Sequence, residues 1–184
     1  MKPVVWKSLD QAGLEVCWMG SGQADGTILR LDDDRRPFEV RYRFTWDGNF
    51  VVRSAVITAR LGSEERTLRL DQGSAWTSDG QELRDFDGCV DLDLWPTPVT
   101  NTFAIRRLHL EMGESGEIGV LWIEAPQLKF HKVPQRYVRI GEHRYRFESL
   151  DSGFQAEIDL HDDGLVAFYP GLFARVDSSP ELGT

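Results

Sequence analysis

The chain has 184 residues, with 21 Lys and Arg against 30 Asp and Glu, so its formal net charge is −9 at neutral pH. A chain of this length fits one domain with a sizeable core, and a hydrophobic content of 41% excludes a disordered protein. The acidic balance argues against a nucleic-acid partner and against adsorption to anionic membranes, because both are bound mainly by clustered Lys and Arg.

Strand-like segments separated by turns follow one another along the whole chain. The predicted strands are residues 14–18, 27–31, 38–46, 50–61, 66–70, 119–124, 128–133, 137–140, 144–148, 154–160 and 165–169. Asp-Gly pairs, which favour tight turns, lie at residues 25–26, 47–48, 79–80, 87–88 and 163–164. Helical periodicity is nearly absent, and the ambiguous stretch 102–112 is also predicted as a strand.

The clearest of these strands is residues 38–46, where large apolar residues alternate with polar ones as in a half-buried antiparallel strand. The apolar members are Phe38, Val40, Tyr42, Phe44 and Trp46. Asp47-Gly48 follows at once and predicts a two-residue type I′ turn that returns the chain as a partner strand.

These patterns predict an all-β, mainly antiparallel protein in the form of a sandwich, barrel or roll. No repeat or linker divides it, so we predict one domain over residues 1–176 and a C-terminal tail over residues 177–184. Six Trp and ten Phe residues favour a curved sheet around a ligand cavity. A larger solid core between two sheets is the alternative.

The start of the chain contains Lys2, Lys7 and Asp10 and no apolar run of signal-peptide length. No later stretch approaches the roughly 20 apolar residues of a membrane span. We therefore expect a cytoplasmic protein without a transmembrane segment. Cys17 and Cys89 are too far apart for a CxxC motif, and we expect two reduced, buried thiols, with a disulfide between them as the alternative.

Two carboxylates and two arginines dominate the most polar segment of the chain. Asp91 and Asp93 are two residues apart, so in a strand both project from one face. They could act as acid and base, bind a metal, or pair with Arg106 and Arg107. The alternative to a functional site is an Asp–Arg network that holds a long loop against the sheet.

Thr100 and Asn101, in the same segment, could present polar groups to a ligand or bond to nearby backbone. The four histidines show no metal-ligand spacing, and residues 32–34 lack the pattern of a calcium loop. The sequence also contains no GxSxG and no phosphate-binding loop. We expect no metal and no cofactor.

The central segment, Asp91-Leu92-Asp93 followed by TPVTNT at residues 97–102 and IRRL at residues 105–108, resembles the DxD…TPxTNT…xRRL core of a bacterial family of unknown function that is named for glycolipid binding. Supporting matches extend over nearly the whole chain, and Ala104 is a departure where the family usually has proline. The resemblance implies a single, highly curved antiparallel β-roll, an incomplete barrel with little helix. That fold is similar to the carriers of lipids and lipoproteins in the bacterial periplasm.

The first functional hypothesis is a non-enzymatic protein that holds the acyl chain of a lipid or glycolipid in an apolar cavity of the curved sheet. Its cavity wall would contain Tyr42, Phe44, Trp46 and Trp122. Its polar mouth would contain Asp91, Asp93, Thr97, Thr100, Asn101, Arg106 and Arg107. The arginines could hold an anionic head group, and the acids could accept hydrogen bonds from sugar hydroxyls.

Two other classes of protein remain as alternatives. A hydrolase acting on a sugar or lipid ester would use Asp91 and Asp93 as acid and base. A structural or regulatory interaction protein would present a flat exposed apolar patch instead of a pocket. The sequence leaves the ligand and the oligomeric state open.

Overall fold

Fifteen β-strands and one α-helix form residues 1–176, the part of the chain that the computed structural model describes. The predicted tail, residues 177–184, lies outside the described residues. The first eight strands are β1 (Lys2–Ser8), β2 (Gly13–Met19), β3 (Gln23–Leu31), β4 (Pro37–Trp46), β5 (Val52–Leu61), β6 (Glu64–Gln72), β7 (Trp76–Ser78) and β8 (Gln81–Glu82). After a short 3-10 helix (Arg84–Phe86) come β9 (Asp91–Trp95), α1 (Val99–Leu108), β10 (Ser115–Glu124), β11 (Lys129–Arg139), β12 (Arg144–Ser149), β13 (Gln155–Leu160), β14 (Val166–Tyr169) and β15 (Phe173–Arg175).

All fifteen strands belong to one sheet, in the order β8-β7-β6-β5-β4-β3-β2-β1-β15-β14-β13-β12-β11-β10-β9. Neighbouring strands are antiparallel except β9 and β10, which are parallel because α1 carries the chain back between them. The sheet is highly curved and is not closed into a barrel. Strands hold 58% of the residues and helices 7%, which confirms the predicted all-β roll with little helix.

The two ends of the sheet meet at a seam made by side chains. Trp76 Nε1 of β7 donates a hydrogen bond to the Cys89 carbonyl at 2.9 Å, and Gln72 Nε2 of β6 donates one to the Val90 carbonyl at 2.9 Å. These bonds hold the segment before β9 against the β6–β7 end, although no strand pairing joins the two ends. Cys17 and Cys89 are both buried free thiols, as predicted.

The curved sheet encloses two apolar clusters, and α1 contributes to both. One cluster joins the inner face of β1–β7 to Leu92 and Leu94 of β9, and it includes Val99 and Phe103 of the helix. The other lies between β11–β15 and the C-terminal half of the helix. Because side chains alternate along β9, Asp91, Asp93 and Trp95 project from the opposite face to Leu92 and Leu94.

The strand predicted over residues 102–112 is wrong, because residues 99–108 form α1. All seven residues from Val99 to Ile105 are buried, so this part of the helix is covered on every side. A helix that is enclosed in this way has no polar stripe and lacks the 3.6-residue alternation by which a surface helix is recognised. His109 ends the helix in the left-handed conformation, with a φ of 47°.

Two of the predicted Asp-Gly turns are also wrong. Residues 25–26 lie inside β3, where Gly26 is opposite Tyr42 of β4. Residues 47–51 form a longer loop, since the Asp47 carboxylate accepts hydrogen bonds from the backbone N–H groups of Asn49 and Val51 at 2.9 and 3.1 Å. Because these hydrogen bonds stabilise the longer loop, the two-residue turn does not form. The partner strand still follows as β5.

Several strands differ from the prediction. The strands β1, β7, β8, β9 and β15 have no counterpart among the predicted strands. β11 joins the predicted segments 128–133 and 137–140 into one strand that passes through Pro134. Proline cannot donate to a strand ladder, but the Pro134 carbonyl still accepts a hydrogen bond from the Leu150 N–H at 2.9 Å, so the strand continues.

Candidate functional site

A groove of about 340 Å³ lies on the face of β9 that carries Asp93 and Trp95. Its apolar side chains are Trp95, Trp122, Val133, Phe147 and Phe154, and its polar side chains are Asp93, Gln135, Ser149, Asp151 and Ser152. The strand register brings these residues together, because Asp93 is opposite Trp122 of β10 and Gln135 of β11 is opposite Ser149 of β12. Residues that are paired across strands share a face of the sheet.

Asp93 is the carboxyl group at the polar wall of this groove. Its Oδ1 accepts a hydrogen bond from Thr100 Oγ1 at 2.7 Å, and its Oδ2 accepts one from Gln135 Nε2 at 2.8 Å. Burial raises the pKa of Asp93 even though both hydrogen bonds lower it. Each oxygen keeps a second lone pair, so the group can accept a further hydrogen bond from a ligand.

Asn101 extends this network from the helix into β11. Its Nδ2 donates a hydrogen bond to the Tyr137 hydroxyl at 2.9 Å, and that hydroxyl lies 3.5 Å from Gln135 Oε1. Thr100, Asn101 and Asp93 therefore belong to one hydrogen-bonded group that runs through Gln135 and Tyr137. Because Thr100 and Asn101 are consecutive in α1, the buried helix sets the position of the polar wall.

Asp91 and the two arginines lie apart from the groove. Asp91 is 3% exposed, and Arg107 binds both of its carboxylate oxygens, through Nε at 2.8 Å and Nη2 at 2.5 Å. Arg106 points elsewhere: its Nη2 donates a hydrogen bond to the Asp163 carbonyl at 2.5 Å, and its guanidinium lies 4.9 Å from the ring centre of Phe50. The two arginines anchor the C-terminal end of α1 to different parts of the sheet.

Of the four aromatic residues predicted for a cavity wall, Trp122 lines the groove. The rings of Phe44 and Trp46 instead lie against Phe103 of α1, with ring centres 6.0 and 4.8 Å apart. Tyr42 stacks on Phe44 at 4.7 Å. The helix thus occupies the space under β4 where these three residues point.

A buried carboxyl group, Glu15 of β2, joins Tyr42 to Thr97. Glu15 is 3% exposed, and its Oε1 accepts hydrogen bonds from the Tyr42 hydroxyl and from Thr97 Oγ1, the latter at 2.7 Å. Its Oε2 has no hydrogen-bond partner among residues 1–176. Burial raises the pKa of Glu15 to about 7. Thr97, predicted as a ligand-binding residue, therefore ties the loop before α1 to β2.

The Glu15 carboxyl group predicts a specific pH dependence of stability. A carboxyl group whose pKa rises from 4.5 to about 7 on folding stabilises the fold below pH 4.5 and loses that contribution as the pH rises to about 7. The Glu15→Gln variant keeps a hydrogen-bond acceptor but cannot ionise. Between pH 4.5 and pH 8 we expect its free energy of unfolding to rise by about 3 kcal/mol relative to that of the native chain. Urea unfolding at several pH values measures the difference. The exposed Glu142→Gln is the control, and parallel pH profiles for the two variants would contradict the prediction.

Several groove residues were not among the predicted site residues. Trp95 is in phase with Asp91 and Asp93 along β9, and this alternation could have identified it. Glu15 lies outside the groove. It is two residues from Cys17 in β2, so the two side chains share a face of the strand, and the predicted burial of Cys17 could have indicated a buried carboxyl group. Phe147 and Phe154 carry no comparable signal, because they belong to β12 and to the turn after it, and only the curvature and register of the sheet bring them to the same groove as β9.

An open, highly curved sheet surrounds one buried helix and carries an aromatic and acidic groove near its β9 end, and this architecture is a β-roll. The chain matches the family described as "Putative glycolipid-binding" over residues 3–175, and it belongs to that family. This confirms the resemblance of the central segment.

One solved structure, the crystal structure of a DUF1089 family protein from Pseudomonas aeruginosa, is similar to the chain with a TM-score of 0.86 and 38% sequence identity. The match covers 89% of this chain and 92% of the other. No curated protein matches the chain. Within residues 1–176, no helix is long and apolar enough to span a membrane. The same residues contain no group of three or more His, Cys, Asp or Glu side chains arranged to hold a metal ion.

Proposed function

We propose that the chain is a non-catalytic glycolipid-binding protein that holds a neutral sugar in the groove beside Asp93. The observation that carries the proposal is the groove itself, in which four aromatic side chains face a carboxyl group and an amide. The family description supports the same ligand class.

The chemistry of the groove suits a sugar ring. Aromatic rings such as Trp95 and Trp122 offer flat apolar surfaces against which the C–H faces of a sugar can pack. Asp93 and Gln135 supply a carboxylate and an amide, which accept and donate hydrogen bonds to hydroxyl groups. A few polar groups that fix orientation within a mainly apolar lining are typical of small-molecule sites.

The charge of the groove favours a neutral head group over an anionic one. Asp93 and Asp151 are its ionisable residues, and no Lys, Arg or His belongs to the described lining. A phosphate or sulfate placed there would meet carboxylates without a compensating cation. Arg106 and Arg107, which could have bound an anionic head group, are held by Asp163 and Asp91 instead.

The size of the groove supports a ligand portion made of the sugar and the start of an acyl chain. A volume of about 340 Å³ is at the lower end of the range of small-molecule sites, roughly 300–1,000 Å³. Phe154, which is 43% exposed, and Leu150, which is 37% exposed, lie in the turn at its edge. In this proposal these two side chains contact the part of the acyl chain that lies outside the groove.

The proposal is tested by titrating the protein with monomeric octyl β-glucoside and, separately, with octyl sulfate. We expect the glucoside to bind and octyl sulfate to bind at least tenfold more weakly. Trp122→Ala should weaken glucoside binding about tenfold, because loss of a central aromatic contact costs more than about 1 kcal/mol. Trp18→Ala, which removes an exposed tryptophan outside the groove, is the control. Equal binding of the two amphiphiles, or equal effects of the two variants, would contradict the proposal.

Incubation with an octanoyl ester of glucose tests the hydrolase hypothesis. An acid–base pair of Asp91 and Asp93 needs two available carboxyl groups, whereas Arg107 holds both oxygens of Asp91. We therefore expect no release of glucose and octanoate from the ester. Ester hydrolysis that Asp93→Asn abolishes would contradict the non-catalytic proposal and support the hydrolase hypothesis.

A further inference from the structure

The outer face of β1–β6 differs in character from the rest of this acidic chain. Strand register places Trp18, Asp25, Arg43, Val56 and Arg69 in one row across β2–β6. The adjacent row contains Val16, Thr27, Arg41, Thr58 and Thr67. We call these two rows, with the flanking Leu14 and Leu29, the outer patch. It lies on the opposite side of the sheet from the buried clusters.

Three arginines surround a shallow trough in the outer patch. The trough has a volume of about 460 Å³, and Arg41, Arg43 and Arg69 line it together with one acid, Asp25. Asp25 pairs with Arg43 at 2.5 Å, and Glu39 pairs with Arg41. Arg69 forms no ion pair with any residue of the described chain.

Arg69 is placed where it can receive an anionic group. It lies two strands from Arg43 in the same row, with Val56 between them. Arg43 and Arg41 are paired with acids, whereas the Arg69 guanidinium has no acidic partner among residues 1–176. Guanidinium binds phosphate through paired hydrogen bonds, so an anionic group bound at the trough would pair with Arg69.

Large apolar side chains adjoin the arginines on the same face. Leu14 is 45%, Trp18 49% and Leu29 57% exposed, and they lie on the neighbouring strands β2 and β3. Single exposed leucines are ordinary, but a group of apolar side chains that includes Trp marks an interaction surface. Trp next to Arg is the combination found where protein meets the interface between lipid and water.

We propose that the outer patch docks onto the surface of an anionic lipid bilayer. Trp18, Leu14 and Leu29 enter the head-group region, and Arg69 binds a lipid phosphate. The argument for this occupant is charge complementarity beside an apolar surface: three arginines stand against two acids, Asp25 and Glu39, in a chain whose net charge is −9. The uneven charge also orients the protein, because its acidic remainder turns away from the bilayer.

The test is co-sedimentation of the full chain with vesicles of phosphatidylcholine alone and of phosphatidylcholine with phosphatidylglycerol. We expect binding to the second kind of vesicle only, and less binding at high salt. Arg69→Gln should weaken it about fivefold, since each cation near an anionic surface contributes that factor. Trp18→Ser should weaken it further. The control is Arg144→Gln, which changes an exposed strand arginine on β12, in the other half of the sheet.

Several results would overturn the proposal. These are no binding to either vesicle, equal binding to both, or equal effects of Arg69→Gln and Arg144→Gln. A dimer in solution that Trp18→Ser dissociates would assign the outer patch to a second copy of the chain instead. The groove is tested separately, because Trp122→Ala should bind vesicles as the native chain does and the glucoside titration contains no membrane.

Discussion

Replacing Gly26 with Ala is expected to destabilise the protein by about 3 kcal/mol, because the new methyl group would overlap a fixed aromatic ring. A Cβ at this position would lie 2.0 Å from Tyr42 Cζ and 2.2 Å from its hydroxyl oxygen. Tyr42 has no room to retreat, since it stacks on Phe44 and its hydroxyl donates a hydrogen bond to the buried Glu15. The glycine that the sequence presented as half of a turn is therefore needed in β3 for close packing across strands.

Urea unfolding with a matched glycine variant measures this effect. Gly119→Ala is the control, because Gly119 is also within a strand, β10, but a Cβ there would have its nearest neighbour at 3.6 Å, an ordinary contact. In a Tyr42→Leu background, which lacks the ring, the cost of Gly26→Ala should fall below about 1 kcal/mol. If Gly26→Ala and Gly119→Ala cost the same, the packing argument fails.

Replacing Arg107 with Ala is expected to cost about 3 kcal/mol, because it leaves the carboxylate of Asp91 buried without its partner. Asp91 is 3% exposed, and both of its oxygens are bound by this one guanidinium.

Unfolding measurements with an exposed ion pair give the comparison. Arg53→Ala, which breaks the pair with Asp47 at the surface, should cost at most about 1 kcal/mol. The double variant Asp91→Asn with Arg107→Gln should be more stable than Arg107→Ala, because it buries no charge. Similar costs for Arg107→Ala and Arg53→Ala would show that the buried pair does not anchor α1.

The polar segment at residues 91–108 makes two different sets of contacts, and the sequence does not show which residues belong to which set. Asp93 lines the groove, and Thr100 and Asn101 lie behind it, where Thr100 donates a hydrogen bond to Asp93 and Asn101 donates one to Tyr137. Asp91 with Arg107, and Arg106 with Asp163, fix the end of α1. The Asp–Arg network that the sequence offered as one alternative is therefore present, and the binding site beside it stays a prediction. Asp91 and Asp93 of β9 both bind side chains of α1. The position of this helix therefore affects the geometry of the groove as well as the stability of the fold.

The net charge is another property whose total, read from the sequence, differs from its arrangement in the structure. A total of −9 argues against an anionic surface as partner, but a total says nothing about distribution. The pleat of β4 and β6 gathers three arginines on one face of the sheet, and the docking proposal depends on that local arrangement.

The sequence by itself determined the fold class, because alternation in segments such as residues 38–46 is a local property of a half-buried strand and needs no knowledge of the rest of the chain. The central motif also identified the family. Only the tertiary structure decided that residues 99–108 are a helix, since burial on every side removes the periodic pattern that marks one. It likewise decided the groove, because the register between β9, β10, β11 and β12 and the burial of α1 behind them set which side chains face one another there.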